Sequence, residues 1–127
     1  MKFNFFKYSD TGKYGEELAV KYLQKKKFLV KTRNYSKPYG EIDIVAQKGR
    51  KIFFIEVKTT KIDYQVSRES FSLLNKIDTK KLSNLEKTIN NYLGENSLLD
   101  NDWRFGVITV FLTQDDKLFK IEEYWDF

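Results

Sequence analysis

The sequence contains no cysteine and no histidine, and Pro38 is its single proline. Without cysteine, a disulfide scaffold and thiol chemistry are excluded. Without histidine, the Ser–His–Asp and Cys–His nucleophile pairs and most zinc sites are excluded as well. If the protein is an enzyme, carboxylates, lysines, tyrosines or a hard cation held by carboxylates must carry out its chemistry.

Long apolar runs are also missing. The longest has four residues, at 52–55, whereas a membrane-spanning helix needs about 20. The first ten residues, MKFNFFKYSD, have no apolar stretch of the kind that a secretion signal requires. We therefore expect a soluble, cytoplasmic protein with no membrane partner.

What the sequence has is enough apolar material for one core. Its 127 residues fit one domain spanning residues 1–127, and 41% of them are hydrophobic and 17% aromatic. Disordered chains are poor in aromatic residues. The charge is uneven: residues 1–61 hold 15 Lys and Arg against 6 Asp and Glu, a balance of +9, and residues 62–127 hold 8 against 12, a balance of −4. The basic half suggests a nucleic-acid partner, although a solvated lysine-rich surface has the same composition.

The hydrophobic pattern predicts a mixed α/β or α+β sandwich in the order α-β-β-β-α-β-β. A tight turn at Gly49-Arg50 should join the second and third strands, Asp78 should cap the second helix, and Asp115-Asp116 should turn between the last two strands. Residues 61–69 read as a loop and residues 70–76 as a short helix. The predicted helices are 11–27 and 79–93, and the predicted strands are 28–35, 41–47, 52–59, 104–113 and 118–125.

The hairpin of residues 41–58 is the most informative part of the sequence. A two-residue turn at Gly49-Arg50 pairs residues whose numbers sum to 99, which places Asp43 opposite Glu56 with Lys58 on the same side. The other side should then be wholly apolar, with the pairs Ile42–Val57, Ile44–Ile55 and Ala46–Phe53.

Two directly opposed carboxylates destabilise a ribbon unless something compensates their charge. A divalent cation would do so, since Mg²⁺ takes one or two carboxylates together with phosphate and water oxygens. Lys58 could then position water or stabilise charge on a phosphate. The alternative is a solvent-facing ribbon in which Lys58 forms a salt bridge with Glu56 or Asp43. Val45 and Phe54 on the same face argue against a wholly wet surface.

The first helix adds a third carboxylate. At 100° per residue, Glu16 falls at the margin of the apolar face of Leu18, Ala19, Tyr22 and Leu23, and Glu17 falls almost opposite it. Glu16 is therefore expected to point toward the sheet, unless it is only a first-turn acid that interacts with the helix dipole. The second predicted helix carries an apolar stripe formed by Leu82, Leu85, Ile89, Tyr92 and Leu93.

Asp43, twelve residues, then Glu56-Val57-Lys58 matches the D…(D/E)-x-K pattern of the PD-(D/E)xK nuclease superfamily. Flanking segments make the match more specific, and together they resemble the YraN family of endonucleases, itself similar to archaeal Holliday-junction resolvases. These segments are GEELA at 15–19, YL at 22–23, RN at 33–34, GEIDIVA at 40–46 and FIEVKT at 54–59.

The resemblance implies a restriction-endonuclease-like core, a mixed β-sheet flanked by helices. It implies that Asp43, Glu56 and the carbonyl of Val57 hold Mg²⁺ or Mn²⁺. Lys58 would be the water-positioning or charge-stabilising lysine, and Glu16 an accessory acid. The family's lysine on the second helix aligns best with Lys81, with Lys80 close by. An exposed basic residue in a first helical turn is the alternative for Lys81.

By this resemblance, we expect a metal-dependent endonuclease that cuts DNA, branched or repair-related DNA among its substrates, and that forms a homodimer by analogy with the resolvases. The basic half would hold the DNA, for example through Lys13, Arg33 and Lys61. One position departs from the family: Gly106 stands where the family has aspartate, and we expect that aspartate to be structural. The alternative function is a non-catalytic nucleic-acid-binding or protein-interaction module that keeps the nuclease fold.

Overall fold

The computed structural model describes residues 11–62 and 79–125, and in the second segment it describes side chains from residue 82 onward. The described elements follow the predicted order and confirm the mixed α/β class. The predicted loop from residue 63 onward, the short helix at 70–76 and the cap Asp78 lie outside the described residues. The elements are α1 (Thr11–Lys25), β1 (Leu29–Lys37), β2 (Gly40–Lys48), β3 (Lys51–Lys61), α2 (Thr79–Glu95), β4 (Trp103–Leu112) and β5 (Leu118–Trp125).

The five described strands form one sheet in sequential order, β1-β2-β3-β4-β5. The β1–β2, β2–β3 and β4–β5 pairs are antiparallel, and β3 and β4 are parallel. A parallel pair needs a long crossover connection, and α2 lies within the one that links β3 to β4. The sheet is therefore mixed, with β3 at its centre.

The two helices cover opposite faces of the sheet, because successive side chains of a strand point to opposite sides. Helix α1 buries Ala19, Val20 and Leu23 on the face that carries Ile44, Ile55 and Ile108. Helix α2 buries its side chains on the face that carries Val45, Phe54 and Val107. We call these the α1 face and the α2 face. Neither helix is long and apolar enough to cross a bilayer, a statement that covers only the described residues.

Helix α1 ends two residues earlier than predicted and α2 ends two residues later. In both, the backbone at the helix end sets the boundary. Lys27 has a left-handed backbone (φ 73°). Its N–H donates a hydrogen bond to the Gln24 carbonyl, and the N–H of Phe28 donates one to the Leu23 carbonyl; both N···O distances are 3.0 Å. This arrangement is a Schellman motif, which closes α1 at Lys25 rather than at the predicted residue 27. Ser97 (φ 56°) ends α2 in the same way.

The predicted stripe of α2 is correct over its C-terminal part. Ile89, Tyr92 and Leu93 are buried and Leu85 is packed against them, but Leu82 is 38% exposed. Leu82 stands in the first part of the helix, before the stretch that crosses the sheet. Gly40 brings the middle of α2 close to β2, since a Cβ there would lie 2.4 Å from Thr88 Oγ1.

Candidate functional site

The β2–β3 hairpin has the predicted register only between its turn and Ile44. The pairs run from Lys48↔Lys51 to Ile44↔Ile55, and their numbers sum to 99. Beyond them the ladder stops, so the predicted pairs Ile42–Val57 and Asp43–Glu56 do not form. Ile42 packs on the α2 face and Ile44 on the α1 face, although residues two apart in a regular strand share a face. The strand therefore twists at Asp43.

The carboxylate of Asp43 takes over one ladder position. The N–H of Val57 donates a hydrogen bond to Asp43 Oδ2 over 2.8 Å. The N–H and C=O of one strand residue point toward the same neighbouring strand, so the Val57 carbonyl is directed to the same side as the Asp43 carboxylate. The structure thus brings together Asp43 and the Val57 backbone, two of the predicted metal ligands.

Glu56 and Lys58 lie next to this break in the ladder. Lys58 Nζ is 3.2 Å from Glu56 Oε1, and the two side chains are 31% and 25% exposed. This ion pair is one of the two that the alternative of a solvent-facing ribbon predicts. The surface is only partly wet, however, because Val45 and Phe54 are fully buried. A cavity of about 130 Å³ opens beside Glu56 toward α2.

The fourth predicted residue, Glu16, reaches the site from α1. Helix and sheet come close here because Gly15 has no side chain: a Cβ at that position would lie 1.8 Å from Thr59 Oγ1. Burial raises the pKa of Glu16, and the nearby Asp43 carboxylate raises it further. Glu16 is therefore directed toward the sheet as predicted, and it interacts with the other acids through Asp43.

Two residues of β1 hold Glu16 in place, a role that the sequence reading missed. Arg33 lies 3.9 Å from Glu16 Oε1 and 2.7 Å from Glu17 Oε1. The Asn34 side chain is close enough to Glu16 to lower its pKa, and Asn34 has a left-handed backbone (φ 54°). The signal was the RN pair at 33–34, which stood among the family segments; only Arg33 had an assigned role, as a DNA contact.

The pKa of Asp43 is set by opposing influences. Burial raises its pKa, the Val57 N–H lowers it, and the charges of Glu56 and Glu41 raise it. Glu41 also raises the pKa of Glu16. Glu41 is an acid of the site that the sequence reading did not select, although it stands two residues before Asp43 in the GEID segment.

The predicted DNA contacts and Lys81 have other surroundings. Lys61 pairs with Asp116 over 3.0 Å, and Arg33 is engaged by Glu16 and Glu17, so the fold already neutralises both predicted DNA contacts. Lys13 is exposed in the first turn of α1. The backbone of Lys81 belongs to the first turn of α2. The side chains of Lys80 and Lys81 are not among those that the structure describes.

Gly106, where the resembling family has aspartate, is covered by an indole ring. Gly106 pairs with Trp125, and a Cβ at this position would lie 2.2 Å from Cε3 of Trp125. The ring packs edge-to-face on Phe53 at 5.4 Å and lies 5.5 Å from the Arg104 guanidinium. An aspartate side chain does not fit beside this ring.

The donor set fits a hard cation in part. Over residues 11–62 and 79–125, no three acids are gathered closely enough to form a ready-made cage. Mg²⁺ does not require one, because it is usually bound by one or two carboxylates with water and phosphate completing its shell. Asp43, Glu56 and the Val57 carbonyl offer oxygen ligands of this kind, and the repulsion among Asp43, Glu56 and Glu41 is what a cation would relieve.

Comparison with known proteins gives a consistent set of relatives. The model of a family described as "Uncharacterised protein family UPF0102" matches residues 15–110. A UPF0102 protein of Flavobacterium psychrophilum is 38% identical over 120 residues, 94% of this chain and 93% of the relative. One from Dictyoglomus thermophilum is 32% identical over 110 residues, 86% of this chain and 88% of the relative. One from Thermotoga maritima is 47% identical over 88 residues, 68% of this chain and 73% of the relative.

Proposed function

The chain belongs to the uncharacterised protein family UPF0102, and we propose that it is a metal-dependent endonuclease that hydrolyses phosphodiester bonds in DNA. UPF0102 is the YraN family that the sequence segments resemble, so membership of that family is confirmed. The nuclease superfamily and the nuclease activity are part of the proposal. The observation that carries the proposal is the break in the β2–β3 ladder, where Asp43 bonds the Val57 N–H beside Glu56 and Lys58. The proposal places the protein in the cytoplasm, in contact with its substrate.

We assign Mg²⁺ or Mn²⁺ to Asp43, Glu56 and the Val57 carbonyl. Oδ2 of Asp43 already accepts the Val57 N–H, which leaves Oδ1 for the cation. When bound, the cation would supply Lewis-acid activation of water and of the scissile phosphate. Its positive charge would also lower the raised pKa of Asp43, so that binding favours the ionised carboxylate.

The chain's own residues would orient the substrate and move the proton. Lys58, 3.2 Å from Glu56 Oε1, lies where its ammonium can donate to a water molecule or to a phosphate oxygen next to that carboxylate. Glu16 has a raised pKa, which brings it closer to the range where a carboxylate transfers protons efficiently near neutral pH. Arg33 and Asn34 would act as positioning residues for Glu16.

The test is incubation with supercoiled plasmid and with four-way-junction DNA, in Mg²⁺ or Mn²⁺ and in chelator. The variants are Asp43→Ala, Glu56→Ala and Lys58→Ala, and the matched controls are Glu86→Ala and Lys87→Ala, which remove exposed charges on α2. We expect metal-dependent cleavage that falls at least about 100-fold in each site variant and is unchanged in the controls. Cleavage that persists in all three site variants, or no cleavage by the wild-type protein, would overturn the proposal.

A second function, a non-catalytic module that binds nucleic acid or protein, is favoured by the Lys58–Glu56 ion pair. In that case the pair is a structural contact, and Glu56→Gln or Lys58→Met would weaken the fold without changing binding. The nuclease proposal differs because each of these variants would abolish cleavage. Thermal unfolding and cleavage measured on the same two variants separate the two functions.

A further inference from the structure

Positive charge collects at the end of the hairpin that is remote from the candidate site. Lys25 and Lys27 lie at and just beyond the end of α1, Lys31 lies on β1, and Lys48, Arg50 and Lys51 surround the β2–β3 turn; all six are exposed. We call this group the basic end.

The contacts show that these side chains belong to one surface. Leu29 pairs with Gln47, so the start of β1 lies beside the end of β2. Lys31 Nζ donates a hydrogen bond to Gln47 Oε1 at 3.1 Å. Lys48 Nζ lies 5.0 Å from the centre of the ring of Phe28, the residue that follows Lys27. Lys48 and Lys51 are directly paired across the turn.

The basic end differs from the rest of the surface in how its charges are balanced. Within the described parts of the chain, none of its six cations forms an ion pair with a carboxylate, whereas several cations elsewhere on the sheet and on α1 do. The paired ones are Lys26 with Glu123, Arg33 with Glu17, Lys37 with Glu95, Lys58 with Glu56, Lys61 with Asp116 and Lys120 with Glu122. Asp100 and Asp102 line the same depression as Lys48, Arg50 and Lys51, so they reduce the local positive charge without cancelling it.

Neighbouring lysines without carboxylate partners repel each other, and a bound polyanion would relieve that repulsion. Lysine and arginine side chains that release counterions from a phosphate backbone gain affinity in proportion to their number. The turn is also fixed by two features. The Asn101 side chain donates a hydrogen bond to the Arg50 carbonyl at 2.7 Å, and Gly49 adopts the left-handed backbone that the turn requires. The cations of the turn therefore stand on a rigid support.

From this clustering we infer that the basic end is a docking surface for the phosphate backbone of duplex DNA, separate from the candidate active site. The inference rests on the proposed function for its class of ligand. Five strand residues separate Lys48 from Asp43, or about 17 Å at about 3.4 Å per residue. That distance equals the rise of about five base pairs, since DNA rises 3.4 Å per base pair. The basic end would hold the duplex without reading its sequence, because backbone contacts carry no base information.

The experiment measures binding of a fluorescein-labelled 20-base-pair DNA duplex by anisotropy, in chelator so that no cleavage occurs, at several salt concentrations. The test variant is Lys48→Gln/Arg50→Gln/Lys51→Gln. The matched control, Lys37→Gln/Lys117→Gln/Lys120→Gln, removes the same charge from cations that carboxylates already pair. Thermal unfolding checks that both variants fold.

We expect the test variant to lose at least about tenfold in affinity, and the slope of log K against log salt to fall by up to about three, since each phosphate contact contributes about one. The control should bind as the wild-type protein does. Equal loss in test and control variants, or no loss in either, would overturn the inference. So would binding to phosphatidylserine vesicles in place of DNA, an outcome that the exposed Leu29 beside these cations makes worth testing.

The inference and the proposed function fail in different ways. If the duplex binds through the basic end but is never cleaved in Mg²⁺ or Mn²⁺, the nuclease function is wrong and the docking surface stands. If cleavage depends on Asp43 but affinity does not depend on the basic end, the docking surface is wrong and the nuclease function stands.

Discussion

The backbone N–H of Val57 donates its hydrogen bond to the side chain of Asp43, over 2.8 Å, and not to a carbonyl of β2. A side-chain oxygen thus replaces a backbone acceptor at the point where the ladder between β2 and β3 ends. The exchange keeps the partly buried N–H of Val57 satisfied while it fixes the carboxylate of Asp43 next to Glu56 and Lys58. The candidate site is therefore a consequence of strand pairing that stops early.

The first prediction concerns the charge of Asp43. Because burial and neighbouring carboxylates raise its pKa, the stability that this group contributes is present below its unfolded pKa and is lost as the pH rises through its folded pKa. Asp43→Asn keeps an oxygen for the Val57 N–H and removes the charge. We expect the variant to be more stable than the wild-type protein at pH 7, by about 0.5–2 kcal/mol.

The measurement is thermal unfolding of both proteins between pH 4 and pH 8. The melting temperature of Asp43→Asn should exceed that of the wild-type protein by an amount that grows with pH. Glu86→Gln, which removes an exposed acid of α2, controls for the change in net charge. A difference that shrinks as the pH rises would show that the carboxylate is stabilised by its surroundings, contrary to the structure.

The second prediction concerns metal binding in the absence of DNA. If Asp43 and Glu56 bind Mg²⁺ or Mn²⁺, a concentration 100 times the dissociation constant stabilises the fold by about 2.7 kcal/mol, which corresponds to a rise of several degrees in melting temperature. The rise should disappear in Asp43→Asn and in Glu56→Gln, and should persist in Glu86→Gln. Sodium chloride at equal ionic strength should not reproduce it. An equal rise in all four proteins would mean nonspecific screening.

The third prediction concerns the contact that positions Glu16. A Cβ at Gly15 would lie 1.8 Å from Thr59 Oγ1, so Gly15→Ala should push α1 away from β3 and destabilise the fold by about 1–3 kcal/mol. Thr59→Ala in the same chain should restore part of the loss, because it removes the nearest atom. Gly94→Ala is the control, since nothing lies within 4 Å of that position, and should be neutral or stabilising. If Gly15→Ala unfolds at the wild-type temperature, the close contact is wrong.

The element order and the hairpin register could be predicted because they depend on local signals. Alternating apolar residues indicated the strands, and Gly49 at a two-residue turn fixed the register as far as Ile44. Extended by two residues, the same register predicts Asp43 opposite Glu56, a pair that does not form because the ladder ends at Ile44. The twist at Asp43 could not be predicted, since the sequence around it keeps a regular alternation and only the packing of Ile42 against α2 reveals the change of face.

The missed parts of the site depend on elements that are distant in sequence. The roles of Arg33 and Asn34 require knowing that β1 passes beside α1, which no periodicity shows. Glu41 was not selected because it lies outside the D…(D/E)-x-K pattern. Counting charges identifies the basic half of the sequence. Only the fold shows which of its cations are already paired with carboxylates.

The last prediction concerns Gly106 and the ring that covers it. Because a Cβ at Gly106 would lie 2.2 Å from Trp125, Gly106→Asp should destabilise the fold by about 1–3 kcal/mol through overpacking, and Trp125→Ala should also destabilise it by removing the contact with Phe53. The double variant should lose less than the sum, with a coupling of about 0.5–3 kcal/mol in urea unfolding, because the aspartate then enters the space of the missing ring. Gly94→Asp, on an open surface, is the control and should show no coupling with Trp125→Ala. Strictly additive losses would mean that the ring does not occupy the place of the aspartate. Coupling would support the view that aromatic packing in this chain occupies the place of the family's aspartate. Cleavage by the wild-type protein would then show that the reaction does not require a carboxylate at this position.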